Sequence, residues 1–267
     1  MKVLIIRPGI ADWLSKQEGL LSKEIELITP KEGTDKEVIE LAKEAEIIVC
    51  TRLHPDAAAA AKKVKLIQKT GAGVDAIPFE TIREEAFVAN TSGANPVPMA
   101  EGAIALIISL AKRIVQRHNL FPDRSSDKGT ELRGKKLGII GLGSIGIEIA
   151  KRMQAFEMKI LAIKRQPDEE LKKELNLEFL GGQDDLDYLM KESDIIVLSI
   201  PLTPATRGII GEHELRLMKS TAFIVNIGRA ALIQEEPLHC TKRESYCWCR
   251  ARCLVDSSLV GSNLDTQ

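Results

Sequence analysis

The sequence lacks an excess of either charge and lacks any long apolar run. Its 37 lysine and arginine residues nearly balance 38 aspartate and glutamate residues over a length of 267, which argues against a nucleic-acid binder held by bulk charge. No run reaches the roughly 18 apolar residues that a membrane span needs. Residues 1–7 are too short for a signal peptide and are typical of a first β-strand. We therefore expect no nucleic-acid partner, no membrane partner and a cytoplasmic location.

Cysteine is nearly absent from most of the chain. Cys50 is alone before Pro237, and the other four cysteines are all in the last thirty residues. Such scarcity is compatible with an enzyme of a reducing intracellular compartment. The composition changes sharply after Pro237.

Short β-rich runs alternate with helical stretches along the sequence, which predicts an α/β fold with parallel strands. Expected strands are 3–7, 25–28, 46–50, 64–68, 136–140, 159–163, 194–200 and 222–226. We expect two doubly wound parallel-sheet domains, Rossmann-like or flavodoxin-like, with the second incomplete. The substrate domain would cover residues 1–95, the dinucleotide-binding domain 96–236, and an aberrant tail 237–267.

A turn-rich stretch, residues 90–98, separates the two sets of strands and is typical of a domain crossing. A long apolar helix, about Met99 to Asn119, is predicted to follow it. Its apolar content is compatible with burial between domains or at a dimer contact, and equally with an ordinary core helix.

The clearest motif is Gly141-Leu142-Gly143-Ser144-Ile145-Gly146, between the strand 136–140 and a helix predicted over 144–156. In this context the first glycine permits a tight turn, and the second lets a diphosphate approach the backbone. The third allows the helix to pack closely on the strand, while the first-turn amides and the helix dipole attract the phosphates. The motif predicts a Rossmann-type site for a nicotinamide dinucleotide.

The strand after this motif ends in a basic pair where NAD-specific sites carry an acidic residue. Lys164 and Arg165 follow Ile163, and Lys164 is 23 residues beyond Gly141. A carboxylate there would repel a 2′-phosphate, whereas lysine or arginine would pair with it. We therefore expect NADP(H) to be preferred, with NAD(H) possible; the alternative is that both residues are solvated surface charges.

Four further segments complete a resemblance to the D-isomer-specific 2-hydroxyacid dehydrogenase family, which includes glyoxylate/hydroxypyruvate reductases, phosphoglycerate dehydrogenases and D-lactate dehydrogenases. They are Gly71-Ala72-Gly73-Val74-Asp75, residues 90–101, Pro201-Leu202-Thr203-Pro204-Ala205-Thr206-Arg207 and Val225-Asn226-Ile227-Gly228-Arg229. The resemblance extends from Met1 to about Leu238. Within the family, Lys164-Arg165-Gln166-Pro167 is most similar to the glyoxylate/hydroxypyruvate reductase branch.

The resemblance implies hydride transfer between the nicotinamide and C2 of a small 2-keto or 2-hydroxy acid. Amides of the loop Gly71, Ala72, Gly73 and Val74 would hold the substrate carboxylate, and Arg229 would be the catalytic arginine. The remaining cofactor contacts implied by the resemblance are Met99, Pro201, Thr206, Asn226 and Ile227. Substrate would bind in a cleft between the domains, and relatives of this kind commonly form homodimers.

The family's proton donor, a histidine with a carboxylate partner beyond the arginine segment, has no counterpart in this sequence. The four histidines are His54, His118, His213 and His239, and none has the sequence setting of the family's histidine. Each is expected to be structural or solvent-exposed. We therefore expect impaired catalysis, or a non-catalytic cofactor-binding protein derived from such an enzyme.

The segment after Leu238 contains His239 and four cysteines, Cys240, Cys247, Cys249 and Cys253, but lacks two well-formed Cys-x(2–4)-Cys pairs. We therefore assign no metal site.

The same segment has a second explanation at the level of the gene. If the reading frame moves forward by one base, residues 247–253 can encode Ala-Gly-Ala-Gly-Leu-Asp-Val. That alternative amino-acid sequence resembles the strand after the arginine segment in this family, so we hypothesise a frameshift near Pro237. The frameshift predicts loss of the later strands of the cofactor sheet, an unpaired strand edge, and a disordered or loosely attached tail.

Overall fold

The computed structural model describes residues 1–17, 19, 22, 24–119 and 129–234, together with the backbone of 252–255. The chain divides into two compact units, Met1–Ala94 and Asn95–Gln267. Each unit has a parallel sheet with helices packed on it, as the alternating sequence pattern predicts. The two α/β units that we expected are thereby confirmed.

The first unit contains a five-stranded parallel sheet in the order β2-β1-β3-β4-β5. Its strands are β1 (Lys2–Ile5), β2 (Glu26–Ile28), β3 (Ile47–Cys50), β4 (Leu66–Lys69) and β5 (Phe87–Ala89), and its helices are α1 (Pro8–Ser15), α2 (Asp35–Ala42) and α3 (Pro55–Ala60). This is a flavodoxin-type strand order. Continuous apolar strands bury Leu4, Ile48 and Ile67 completely, because helices cover both faces of the sheet.

The second unit contains a six-stranded parallel sheet in the order β11-β10-β9-β6-β7-β8. Its strands are β6 (Lys136–Ile140), β7 (Lys159–Ile163), β8 (Phe179–Gly181), β9 (Ile195–Leu198), β10 (Phe223–Asn226) and β11 (Arg252–Val255). Its helices are α4 (Pro96–Lys112), α5 (Ile114–Asn119), α6 (Ser144–Gln154), α7 (Glu169–Glu174), α8 (Leu186–Glu192) and α9 (Glu212–Leu217). The order reverses at β6, between β7 and β9, so the carboxyl end of β6 is the position at which such sheets bind ligands.

The single helix expected over 99–119 begins earlier than expected and is interrupted at Arg113, although its expected end at Asn119 is the end of α5. Helix α4 begins at Pro96, because proline is well tolerated in the first helical turn. It ends at Lys112, since Arg113 adopts a left-handed conformation with φ of 54° and separates α4 from α5. The apolar side of α4 joins the main core of its unit through Ala103, Ile107 and others, as an ordinary core helix does.

The edge of β10 is paired, which corrects the expectation of an unpaired edge. Strand β11 lies parallel to β10, with Phe223 opposite Arg252 and Asn226 opposite Val255. An edge strand presents a row of free amides and carbonyls, and the β-favouring sequence Cys253-Leu254-Val255 provides a strand that can pair with it. The rest of the segment 235–267, including its expected looseness and its proposed frameshift, lies outside the described residues.

No helix among the described residues is both long and apolar enough to cross a lipid bilayer. The cytoplasmic location expected from the sequence stays a prediction.

Candidate cofactor and substrate site

The glycine motif forms a sharp corner between β6 and α6. Gly141 has φ of 100°, a conformation that L side chains rarely adopt. Its backbone is also crowded, because a Cβ atom there would be 2.6 Å from the carbonyl oxygen of Ser199. The amides of Gly141 and Leu142 donate to the carbonyl of Ile163 at 3.0 and 3.3 Å. The corner is thus tied to the end of β7, and only glycine fits its first position.

The other two motif glycines have opposite surroundings. A Cβ atom at Gly146 would collide with the carbonyl oxygen of Gly141, so α6 can lie close to β6 only because residue 146 has no side chain. A Cβ atom at Gly143 would meet nothing within 4 Å, which leaves open space beside the first turn of α6.

Gly143 is the N-cap of α6, and no side chain caps this helix. The first-turn amides, including those of Ser144 and Ile145, therefore face that open space without a side-chain acceptor. Open space next to uncapped helix amides is the geometry that a diphosphate requires. The residues present thus fit the diphosphate of a dinucleotide.

The basic pair lies beside this corner. Lys164 follows β7 directly, is half-buried, and donates its backbone amide to the carbonyl of Gly181 at 3.1 Å. Arg165 is exposed. Because the preceding residue, Ile163, accepts from the glycine corner, both side chains begin next to the site where the adenosine half of a dinucleotide would extend.

The loop after β9 is organised by one threonine. The hydroxyl of Thr206 donates to the carbonyl of Pro201 at 2.7 Å and accepts from the amide of Thr203 at 2.8 Å. The loop begins next to the glycine corner, since the amide of Ser199 donates to the carbonyl of Ile140 at 2.8 Å. The predicted cofactor residues Pro201 and Thr206 therefore belong to one ordered turn at the carboxyl end of the sheet.

The segment with Arg229 follows β10 at the same edge of the sheet. Asn226 is 1% exposed, and its amide donates to the carbonyl of Arg229 at 2.8 Å while its oxygen accepts from the amide of Gly228 at 2.9 Å. The amide of Ile227 donates to the carbonyl of Leu198 at 3.2 Å. A side chain at Gly228 would reach Leu232 and the carbonyl of Ile200. These contacts fix the turn, and Arg229 itself is half-buried.

The predicted substrate loop lies in the first unit, after β4. Asn90 donates its side-chain amide to the carbonyl of Ala72 at 2.9 Å, and the backbone amide of Thr91 donates to that of Gly71 at 3.4 Å. The amides of residues 71–74 donate to no acceptor in the described part of the chain. They remain available for an anion, as the resemblance implies for a substrate carboxylate.

Lys69 adds a buried positive charge to this loop and was not singled out from the sequence. It is 4% exposed, and its Nζ atom is 3.3 Å from the position that a Cβ atom of Gly71 would occupy. Lys69 pairs in register with Cys50 on β3. Burial raises the pKa of the Cys50 thiol to about 11, and the nearby charge of Lys69, which lowers this pKa, offsets only part of the rise. The strand expected over 64–68 ends one residue before Lys69, which is the last residue of β4, so no signal of its burial was visible in the sequence.

The described histidines make their hydrogen bonds to residues outside the turn that carries Arg229. His54 caps α3, His118 is exposed on α5, and His213 on α9 contacts Asp187 at 3.2 Å. His239 lies outside the described residues. Met99 is half-buried in the first turn of α4. Within the described part of the chain, no histidine with a carboxylate partner bonds to the turn that carries Arg229.

Comparison with known proteins gives consistent matches. A model of the D-isomer specific 2-hydroxyacid dehydrogenase NAD-binding domain matches residues 104–243. A hydroxypyruvate reductase of Thermotoga maritima is 36% identical over 243 residues, which cover 87% of this chain and 77% of that protein. A D-3-phosphoglycerate dehydrogenase of Methanocaldococcus jannaschii is 36% identical over 247 residues, 90% of this chain but 46% of that protein. The chain thus spans about half the length of that relative.

Among solved structures, the D-lactate dehydrogenase of Aquifex aeolicus, complexed with NAD and lactic acid, superposes with a TM-score of 0.72 at 28% identity. The match covers 90% of this chain and 72% of that one. The matched family domain contains the glycine corner, the basic pair and the Arg229 turn. The resemblance inferred from the motifs is confirmed, and the chain belongs to the D-isomer-specific 2-hydroxyacid dehydrogenase family.

Proposed function

We propose that this chain binds NADP(H) in preference to NAD(H) and acts on a small 2-keto or 2-hydroxy acid such as glyoxylate or hydroxypyruvate, with impaired turnover. The observation that carries the proposal is the glycine corner, where open space at Gly143 adjoins uncapped helix amides and a neighbouring basic pair. Named relatives support the substrate class, since they include a hydroxypyruvate reductase and a glyoxylate reductase.

The cofactor would be held by the second unit. Amides of Gly143, Ser144, Ile145 and Gly146 would bind the diphosphate, and Lys164 with Arg165 would pair with a 2′-phosphate. When bound, the cofactor supplies or accepts the hydride. The loop with Pro201 and Thr206, the turn with Asn226 and Ile227, and Met99 are proposed to contact the rest of the dinucleotide.

The substrate would be bound through its carboxylate and its C2 oxygen. Arg229 offers a planar fork of donors suited to both groups, and the Asn226 side chain holds the backbone of its turn in place. Loop 71–74 offers free amides, and Lys69 adds a buried positive charge beside them. Both features favour an anionic substrate.

Reduction of a keto acid also needs a proton donor, and no histidine–carboxylate pair of the described residues hydrogen-bonds to the Arg229 turn. This observation favours slow turnover over the full activity of the family, and it makes a non-catalytic NADP-binding protein the second candidate. Steady-state oxidation of NADPH with glyoxylate and with hydroxypyruvate separates the two candidates.

We expect NADPH to bind, as measured by its fluorescence, and to be oxidised slowly. We also expect Arg229→Lys to lower kcat/KM further without changing NADPH affinity. Binding with no oxidation at all would favour the second candidate, and absence of NADPH and NADH binding would refute both.

The NADP preference depends on the charge next to β7. Arg165→Asp should weaken NADPH binding by roughly 10- to 100-fold, the value of one or two charge-assisted hydrogen bonds, and should leave NADH binding unchanged or stronger. Lys173→Asp, an equal charge change at an exposed position on α7, serves as the matched control. Unchanged NADPH affinity in Arg165→Asp would show that the pair is only a solvated surface charge.

We also propose that the chain forms a homodimer through its cofactor-binding unit. Ile114 and Val115 at the start of α5 are 51% and 59% exposed, and Val97 on α4 is 37% exposed. A second copy would cover these apolar side chains. Light scattering after size-exclusion chromatography should give twice the chain mass for the wild type and the chain mass for Val115→Asp. A monomeric wild type would contradict this.

A further inference from the structure

Three potential metal ligands converge in the second unit, and none of them belongs to the glycine corner, the basic pair or the arginine turn. Asp187 belongs to α8, and His213 and Glu214 belong to α9. One oxygen or nitrogen of each lies within 4.8 Å of the others. His213 is exposed, and the two carboxylates are half-buried. The family resemblance and the sequence motifs gave these residues no role.

The distance between His213 and Asp187 matches that between neighbouring ligands of a single ion, whereas Glu214 lies within the looser limit of 4.8 Å from both. Nε2 of His213 is 3.2 Å from Oδ2 of Asp187. Two donors that are each about 2.0–2.2 Å from one ion, at tetrahedral or octahedral angles, lie about 3.0–3.5 Å apart. An ion could therefore bind both atoms with little movement of either side chain.

The third ligand is held in place by its own helix. Oε2 of Glu214 accepts the amide of Gly211 at 2.7 Å in a capping interaction. This leaves Oε1 available, because a carboxylate has acceptor capacity on both oxygens. The two helices are anchored separately by buried side chains, Leu189 and Met190 on α8 and Leu215 on α9. The donor set is thus built on packed elements rather than on loops.

We propose that Asp187, His213 and Glu214 bind one divalent first-row transition ion, such as Zn²⁺ or Co²⁺, with water completing its coordination. An imidazole with two carboxylates suits these ions better than Mg²⁺ or Ca²⁺, which prefer all-oxygen sites. The ion takes the place of the hydrogen between Nε2 and Asp187, and the neutral ring carries its proton on Nδ1.

The proposed role is structural. Helix α9 lies in sequence between the loop of Pro201–Gly208 and strand β10, after which Arg229 follows. An ion shared by α8 and α9 would link these two helices and thereby stabilise the segment that joins the cofactor loop to the arginine turn. Because it binds only the folded arrangement, the ion should raise the melting temperature.

The experiment uses the full chain and Co²⁺, whose visible spectrum distinguishes thiolate from nitrogen and oxygen ligands. Accessible thiols are first alkylated, since cysteines also bind such ions. Cys50 is buried and its pKa is raised to about 11, so it stays an un-ionised thiol and does not compete. We expect one Co²⁺ per chain, no thiolate band, and a higher melting temperature.

His213→Ala should weaken Co²⁺ binding at least tenfold and abolish the thermal shift, while His118→Ala, a change at an exposed histidine on α5, should do neither. Asp187→Asn keeps a hydrogen-bonding partner for the imidazole but removes the charge, and it too should weaken binding. Equal affinity in His213→Ala and wild type would overturn the proposal. So would the absence of Co²⁺ binding at concentrations up to about 1 mM.

Discussion

At the scale of single residues, Gly143 and Gly146 allow the space proposed for the diphosphate to be tested separately from the stability of the folded chain. A methyl group at Gly146 would collide with the carbonyl of Gly141, whereas one at Gly143 would enter open space. Gly143 also has φ of −89°, which any residue can adopt.

Gly146→Ala should therefore lower the free energy of unfolding by about 1–3 kcal/mol, as overpacking does. Gly143→Ala should leave that free energy within about 0.5 kcal/mol, because a change at an open surface position costs little. It should nevertheless weaken NADPH binding, because the methyl group fills the space proposed for the diphosphate. Urea unfolding and NADPH fluorescence measure the two effects. Equal cofactor affinity in Gly143→Ala and wild type would mean that the diphosphate binds elsewhere.

Single residues also mark where sequence reasoning was limited. The glycine motif could be recognised in the sequence because each glycine satisfies a backbone requirement that depends only on neighbouring residues of the chain. The role of Lys69 could not be recognised, since its position beside Gly71 depends on how the surrounding unit covers β4. The cluster of Asp187 with His213 joins residues 26 positions apart, and no local pattern indicates that α8 and α9 bring them together.

At the scale of elements, Glu37 on α2 shows how one carboxylate can order the approach to a helix. Its oxygens accept the backbone amides of Lys31, Glu32 and Gly33 at 2.7, 2.9 and 3.2 Å. These hydrogen bonds, chiefly that from Lys31, hold the pKa of Glu37 below its ordinary value.

Because the pKa of Glu37 is lower in the folded chain than in the unfolded one, its stabilisation is present above the unfolded pKa and is lost as pH falls through the folded pKa. Glu37→Gln should thus be less stable than wild type at pH 7, and the difference should shrink below about pH 4. Glu40→Gln, on the same helix, removes only an exposed ion pair with Lys43 and should show a smaller difference. Urea unfolding at both pH values measures this. A difference for Glu37→Gln that grows on acidification would contradict the assignment.

Most elements were predictable from apolar runs bounded by turn residues, and those that were missed have physical reasons. Strands β5 and β8 have three residues each and end in alanine and glycine, which disfavour strands, whereas the equally short β2 is marked by the mainly apolar stretch Ile25–Ile28. The boundary between α4 and α5 depends on one left-handed residue, Arg113. Left-handed helix ends are usually glycine or asparagine, so an arginine at this position does not predict one. Strand β11 was unexpected because its pairing depends on the exposed edge of β10, a property of the whole sheet.

At the scale of the whole molecule, the two units should respond differently to the cofactor. All proposed diphosphate, 2′-phosphate and nicotinamide contacts belong to the second unit, which also contains the strand order that creates the binding position. A ligand at 100 times its Kd stabilises the state that binds it by about 2.7 kcal/mol. For a unit of this size, in which each kcal/mol shifts the melting temperature by about 2–4 °C, that corresponds to a rise of about 5–11 °C.

Hydrogen exchange with and without saturating NADPH should locate this stabilisation. Exchange should slow in peptides spanning the glycine corner, the loop 199–206 and the turn 226–229, because the ligand reduces opening of the elements that it touches. Peptides from α2 and β3 in the first unit should exchange at unchanged rates and serve as the internal control. The same measurement on Gly143→Ala should show no slowing at a matched NADPH concentration. Slowing confined to the first unit, or equal slowing in Gly143→Ala, would place the cofactor away from the carboxyl end of β6.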